Sequence, residues 1–133
     1  MTNMTKREII IKNYIDGYNG FDIAKMVADF DENILFENIQ NGETNLLLMG
    51  LAAVKQQAEQ AKAYFSERTQ TIKSFTHNGT FTEISIDYKA ILAMDFPNGL
   101  KKGQTLNLSG KSIFQFDVDK IIKLTDISWN NGH

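Results

Sequence analysis

The spacing of apolar residues changes period along this chain, and that change narrows the possible folds more than any other feature. Two stretches of the first half carry them every three or four residues, as helices with one buried face do. Ile10, Ile11, Tyr14, Ile15 and Tyr18 form the first, opened by a capping box at Thr5-Lys6-Arg7-Glu8 and closed by Asn19-Gly20. Leu51, Val54, Ala58, Ala61 and Phe65 form the second, with Lys55, Gln56, Glu59 and Lys62 on the wet side. Asp22 caps a shorter helix between them, with Ile23, Met26, Val27 and Phe30 turned inward.

Elsewhere the period is two. Asp31-Glu32-Asn33 reads as a turn before a short strand over 34–39, and Asn41-Gly42 as a hairpin turn before an apolar strand over 46–49. Strands follow over 69–77, 81–94, 105–116 and 121–129, joined at Asn78-Gly79, Phe96-Pro97-Asn98-Gly99 and Asp117–Asp119. Three helices and a strand meander predict an α+β arrangement with the helices on one face of the sheet. Leu106, Leu108, Ser112, Phe114 and Phe116 share a strand face, and Gly110 among them predicts a bulge or sharp bend. On the last strand Ile122, Leu124 and Asp126 share the inner face, with Ile127 and Trp129 on the outer one.

The length, 133 residues, fits a single domain over 1–133, and with 42% hydrophobic and 23% charged residues the composition is globular. A net charge of −2 with interspersed signs offers nucleic acid no basic stripe. The absence of cysteine removes disulfides, thiol catalysis and thiolate metal sites. The apolar run Ile9–Ile11 is too short for a membrane span or signal peptide, so a cytoplasmic location is expected by default.

The run from Tyr14 through Asn19, Asp22 and Phe30 to Phe36-Glu37, with Gly50 ahead of Val54, resembles the nuclear transport factor 2-like superfamily. The strands Gly110-Lys111-Ser112-Ile113-Phe114-Gln115-Phe116 and Lys120-Ile121-Ile122-Lys123-Leu124-Thr125-Asp126 extend the resemblance, which is greatest to SnoaL-like proteins, relatives of polyketide cyclases and ketosteroid isomerases. It implies a cystatin-like cone: three N-terminal helices packed on a curved, mostly antiparallel sheet that encloses a pocket. It also implies homodimers formed through the outer sheet face, here Ile91, Ile113, Ile127 and Trp129.

Chemistry has to be argued position by position, because such folds host unrelated activities. In the isomerase pattern Tyr14 matches the helix tyrosine that donates to an enolate oxygen, but the base position falls on Asn38, whose amide cannot take a proton. The second donor position falls on Ser112, and Glu37 points to the face opposite Asn38. In the cyclase pattern Asp126 matches the acid/base aspartate, and burial among apolar neighbours would raise its pKa into a useful range. The Asp-Arg-Asp set of epoxide hydrolases is poorly served by Arg7 and Arg68, and the several histidines of dehydratases by His77 and His133. Gly99-Leu100-Lys101-Lys102-Gly103 precedes a strand, so it is a hairpin turn and not a phosphate loop.

Each of these residues also has a plain structural reading. Asp126 fits a buried carboxylate satisfied by Tyr14, Ser112 or a backbone amide, and Tyr14 and Tyr18 fit core aromatics with wet hydroxyls. The expectation is a homodimeric protein, free of cofactor and metal, that binds a small and mostly apolar molecule. Asp126 and Tyr14 are the candidate catalytic residues; Tyr18, Asn38, Phe65, Ser112 and Phe114 are the candidate ligand contacts. The alternatives are a non-catalytic binding module and an oligomerisation domain whose cup is plugged by Phe36, Phe65, Phe114 and Phe116.

Overall fold

The computed structural model describes residues 3–97 and 99–130, so His133, and Asn98 of the expected turn, lie outside the described residues. In chain order the elements are α1 (Asn3–Asn19), α2 (Ile23–Met26), β1 (Phe30–Gln40), β2 (Glu43–Met49), α3 (Leu51–Ala61), β3 (Phe65–Asn78), β4 (Phe81–Leu92), β5 (Thr105–Asp117) and β6 (Lys120–Asn130). The strands form one curved sheet in the order β2-β1-β6-β5-β4-β3. Every pairing is antiparallel except β1 with β6, which is parallel because the chain crosses the whole sheet between them.

Three N-terminal helices were expected; the structure has one long helix, one single turn and a third helix placed after the first hairpin. α1 buries Ile10, Ile11, Tyr14 and Ile15 and packs across β3. It starts at Asn3, ahead of the expected cap at Thr5, and Glu8 turns away from the helix end to pair with His77 Nε2 at 2.8 Å. The backbone amide of Lys25 donates to the Asp22 carboxylate at 3.1 Å, which fixes the start of α2 as the sequence predicts. α2 lies so close to α1 that a Cβ at Gly17 would stand 2.5 Å from the Met26 amide nitrogen.

α3 ends at Ala61, four residues short of Phe65. Tyr64 N donates to Ala61 O at 3.1 Å in a tightened last turn, and Tyr64 O accepts from Ala93 N at 2.8 Å. The sheet thus claims the backbone at Tyr64, and Phe65 opens β3 instead of closing the helix. Asp31-Glu32-Asn33 is likewise strand and not turn. The local signal survives as a bond from Asn33 N to the Asp31 carboxylate at 2.8 Å, and the β1–β6 register shifts between Phe30 and Leu35. Bonds from Ile121 N to Asp29 O and from Gly50 N to Ile34 O hold the segment extended.

The sheet irregularities also differ from expectation. Register runs unbroken through Gly110, which pairs with Ile86 on one side and Ser128 on the other. No bulge sits there; the glycine is needed because a Cβ would lie 2.5 Å from the Ile127 carbonyl oxygen. The bulge lies instead between Gln115 and Phe116, which face Lys123 and Ile121 and leave Ile122 as the extra residue. Ile121, fully buried, therefore takes the core place expected for half-buried Ile122.

Candidate functional site

Register puts three polar side chains in one row on the inner face. Asp126 pairs with Asn38 of β1 on one side and with Ser112 of β5 on the other. The Ser112 hydroxyl, fully buried, donates to Asp126 Oδ1 at 2.6 Å. Asn38 Nδ2 donates to Asn45 Oδ1 at 2.7 Å, and Asn45 Nδ2 to Gln40 Oε1 at 3.3 Å. Asn45 is able to reach both because the β1–β2 register shifts between Asn38 and Ile39, leaving it unpaired in the ladder. Asp126 keeps some contact with solvent along a cavity wall, yet enough protein surrounds its carboxyl that burial pushes the pKa up to about 6, the Ser112 hydrogen bond offsetting part of the rise.

The wall opposite carries tyrosines. On α1, Tyr14 and Tyr18 stand one turn apart; the Tyr14 ring stacks on Phe30 at 5.6 Å and meets Phe114 edge-on at 5.7 Å. Burial, and then the nearby Asp126 charge, hold the Tyr14 hydroxyl well above the usual phenol range. The Tyr18 hydroxyl donates to that of Tyr88 at 2.9 Å, and burial raises both pKa values. All three are thus neutral hydrogen-bond donors at ordinary pH.

Arg68 completes this wall at the start of β3. It is 4% exposed, its Nε donates to the Tyr18 carbonyl at 2.8 Å, and its guanidinium lies 3.8 Å over the Tyr18 ring and 4.4 Å over the Phe21 ring.

These residues border a cavity with two lobes. One, of about 240 Å³, is walled by the helices and by β1 and β2; the other, of about 610 Å³, lies between the sheet and the β4–β5 connection. Tyr18, Asn38, Phe65 and Asp126 line both, so the carboxyl stands at their junction. Tyr14 and Arg68 line the smaller lobe, Gln70 and Tyr88 the larger. Among the expected ligand contacts Ser112 and Phe114 line neither: Ser112 sits behind Asp126, and Phe114 is fully buried beneath Tyr14. Phe114 and Phe116 belong to the core, and Phe36 and Phe65 form wall without filling the cup.

Tyr88, Gln70 and Arg68 were missed, although alternation offered the signal. Tyr88 follows Ile84 and Ile86 on one face of β4; Arg68 and Gln70 alternate inward once β3 is allowed to begin at Phe65. A strand begun at Thr69 hides Arg68. His77 lies away from the cavity, between Glu8 and Thr82, and no group of three or more potential metal ligands occurs among the described residues. No described helix is long and apolar enough to cross a membrane.

A conical sheet closed by a long helix over a lined cavity recurs in solved structures. A candidate polyketide cyclase from Xanthomonas campestris superposes with a TM-score of 0.79 at 19% identity, over 95% of this chain and 92% of the other. This is the NTF2-like fold. A candidate polyketide cyclase from Streptomyces antibioticus shares the cone at a TM-score of 0.73 and 11% identity, over 91% of this chain and 90% of the other. An epoxide hydrolase from M. tuberculosis, described as LEH-like, shares it at a TM-score of 0.74 and 11% identity, covering 93% and 83%. No family model and no curated protein matches the sequence. At these identities the likeness shows the fold alone.

Proposed function

We propose that the cavity binds a small, mostly apolar carbonyl compound and moves a proton on it without a cofactor, in the manner of a cyclase or isomerase. The observation that carries this reading is Asp126: a carboxyl at the junction of two lobes, held by Ser112, with a pKa of about 6. A carboxylate so tuned is ionised at pH 7 yet basic enough to accept a proton usefully. It takes a proton from carbon beside a carbonyl, and the C–H electron pair forms the enolate double bond as the carbonyl π pair moves to oxygen. When the charge flows back, Asp126 returns the proton to that carbon or, in a conjugated substrate, to the far end of the double bond. The neutral Tyr14 hydroxyl donates to the oxygen as charge develops there. Asn38, held by Asn45, orients the substrate without exchanging a proton. Candidate cyclases among the structural neighbours support the reading.

The test is α-proton exchange of small cyclic ketones in D2O, followed by NMR, for the wild type and Asp126→Asn. Loss of a general base is expected to lower the rate about 10²–10⁴-fold while ligand affinity stays nearly unchanged. Binding without exchange in the wild type would instead identify a binding module, and exchange that survives Asp126→Asn would remove Asp126 from the mechanism.

The same reading takes the working form as a homodimer joined through the outer sheet face. Its support is half-buried Ile113 and Ile127 near Trp129, which is 44% exposed, on neighbouring strands β5 and β6, with half-buried Ile91 farther along β4. Sedimentation equilibrium should show a dimer that Ile113→Asp with Ile127→Asp turns into a folded monomer. A wild-type monomer at all concentrations rejects the dimer.

A further inference from the structure

A cation buried without an anion calls for a partner, because desolvation is offset only when the charge is paired. Arg68 is in that position. None of the ion pairs among the described residues includes it. Among the described residues its one strong acceptor is the neutral Tyr18 carbonyl at the end of α1, reached through Nε at 2.8 Å. Nη2 reaches only the Met26 sulfur, a weak acceptor, at 3.9 Å. The rings of Tyr18 and Phe21 cover its faces and leave the edge of the fork, which carries most of the five N–H donors.

Arg68 lines the smaller lobe together with Met26 and Asp126. Among the described residues Asp126 is the one acidic residue lining this lobe, and it makes no ion pair with Arg68; its Oδ1 accepts from Ser112 instead. The remainder of the wall is largely apolar, with Phe30, Phe36, Leu46, Leu48, Val54 and Ala58. Among the described residues no second cation lines the lobe, so it lacks the several positive charges that would hold a phosphate, whereas a single planar fork matches a carboxylate.

We infer that the ligand is an apolar carboxylic acid bound as its carboxylate, with Arg68 as the residue that reads the carboxylate; this rests on the cavity being a binding site. The hydrocarbon body lies against the apolar wall, and anchoring one end at Arg68 places the rest of the molecule within the lobe that Asp126 and Tyr14 also line. Arg68 then sets which molecules enter, while Asp126 acts on them.

The experiment compares dissociation constants of 4-phenylbutanoate and decanoate with those of their methyl esters at pH 7.5, by calorimetry on the intact protein. The acids are expected to bind about tenfold tighter or better, the worth of a hydrogen bond to a charged group. Arg68→Gln, which still offers an amide donor to the Tyr18 carbonyl, should bring acid and ester within about twofold of each other. Should that variant fail to fold, Arg68→Lys keeps the charge without the fork and should weaken the acids several-fold while leaving the esters unchanged. Esters that match the acids in the wild type overturn the inference and leave the cavity a binding site. An acid preference retained in folded Arg68→Gln, or equal losses for acid and ester in Arg68→Lys, overturns it as well. If neither acid nor ester binds the wild type, the binding reading falls and the inference with it.

Discussion

The Ser112 hydroxyl, fully buried on β5, donates to Asp126 Oδ1 at 2.6 Å across a register pair of β5 and β6. A donor to the charged form favours ionisation, so it works against the burial that lifts the carboxyl to about 6. Ser112→Ala removes that opposition. The Asp126 carboxyl, followed by ¹³C NMR, is expected to titrate near pH 6 in the wild type and higher in the variant. A midpoint that falls or stays put in Ser112→Ala would show that the bond does not tune the group.

Asp126 should also cost the protein stability above pH 6. Its pKa is about 6 when folded against 3.8 ordinarily, so between those values the unfolded chain has shed a proton that the native state retains. Stability falls as pH rises through that window, and the cost persists above it. The full difference corresponds to about 3 kcal/mol, and solvent along the cavity wall should reduce it to about 1–2 kcal/mol. Asp126→Asn is therefore expected to raise Tm at pH 7.5 and leave it nearly unchanged at pH 3.5. Equal shifts at both pH values would locate the effect in packing instead.

Tyr18 and Tyr88 share a hydroxyl pair at 2.9 Å between α1 and β4. Removing one hydroxyl leaves its partner unsatisfied, at about 1–2 kcal/mol for either single change to Phe. The double change Tyr18→Phe with Tyr88→Phe should cost less than the sum of the two, by about 1 kcal/mol in a urea-denaturation cycle. Strict additivity would mean that solvent in the cavity already satisfies both groups.

Gly110→Ala places a methyl 2.5 Å from the Ile127 carbonyl oxygen. The obstacle is backbone in the middle of the sheet, which cannot swing aside as a side-chain end can. A loss of about 1–3 kcal/mol is expected in chemical denaturation. A neutral result would mean that β5 and β6 separate more easily here than their continuous register indicates.

How far the sequence was legible follows the range of the signals it carries. The amphipathic stripe of α1, the Asp22 cap and the turn at Asn41-Gly42 are local, and all of them appear in the structure. The second hairpin turns at Gly79-Thr80, one residue later than Asn78-Gly79, because Asn78 pairs with Phe81. The end of α3 is not local. Helical spacing runs on to Phe65, and it is the pairing of Tyr64 O with Ala93 N that stops it. The start of β3 hid Arg68 for the same reason, since the parity that turns Arg68 and Gln70 inward depends on where pairing with β4 begins.

The α+β class, the strand meander and the placing of Asp126 on an inner face were determined by the chain alone, because side-chain period and turn chemistry act between near neighbours. Only the tertiary structure decided what surrounds that carboxyl. The parallel contact of β1 with β6 brings Asn38 beside Asp126, and the fold of α1 back onto β3 buries Arg68 against two aromatic rings with no carboxylate partner among the described residues. Those encounters join residues far apart in the chain, and desolvation and pairing exist only once the intervening sheet has closed around them.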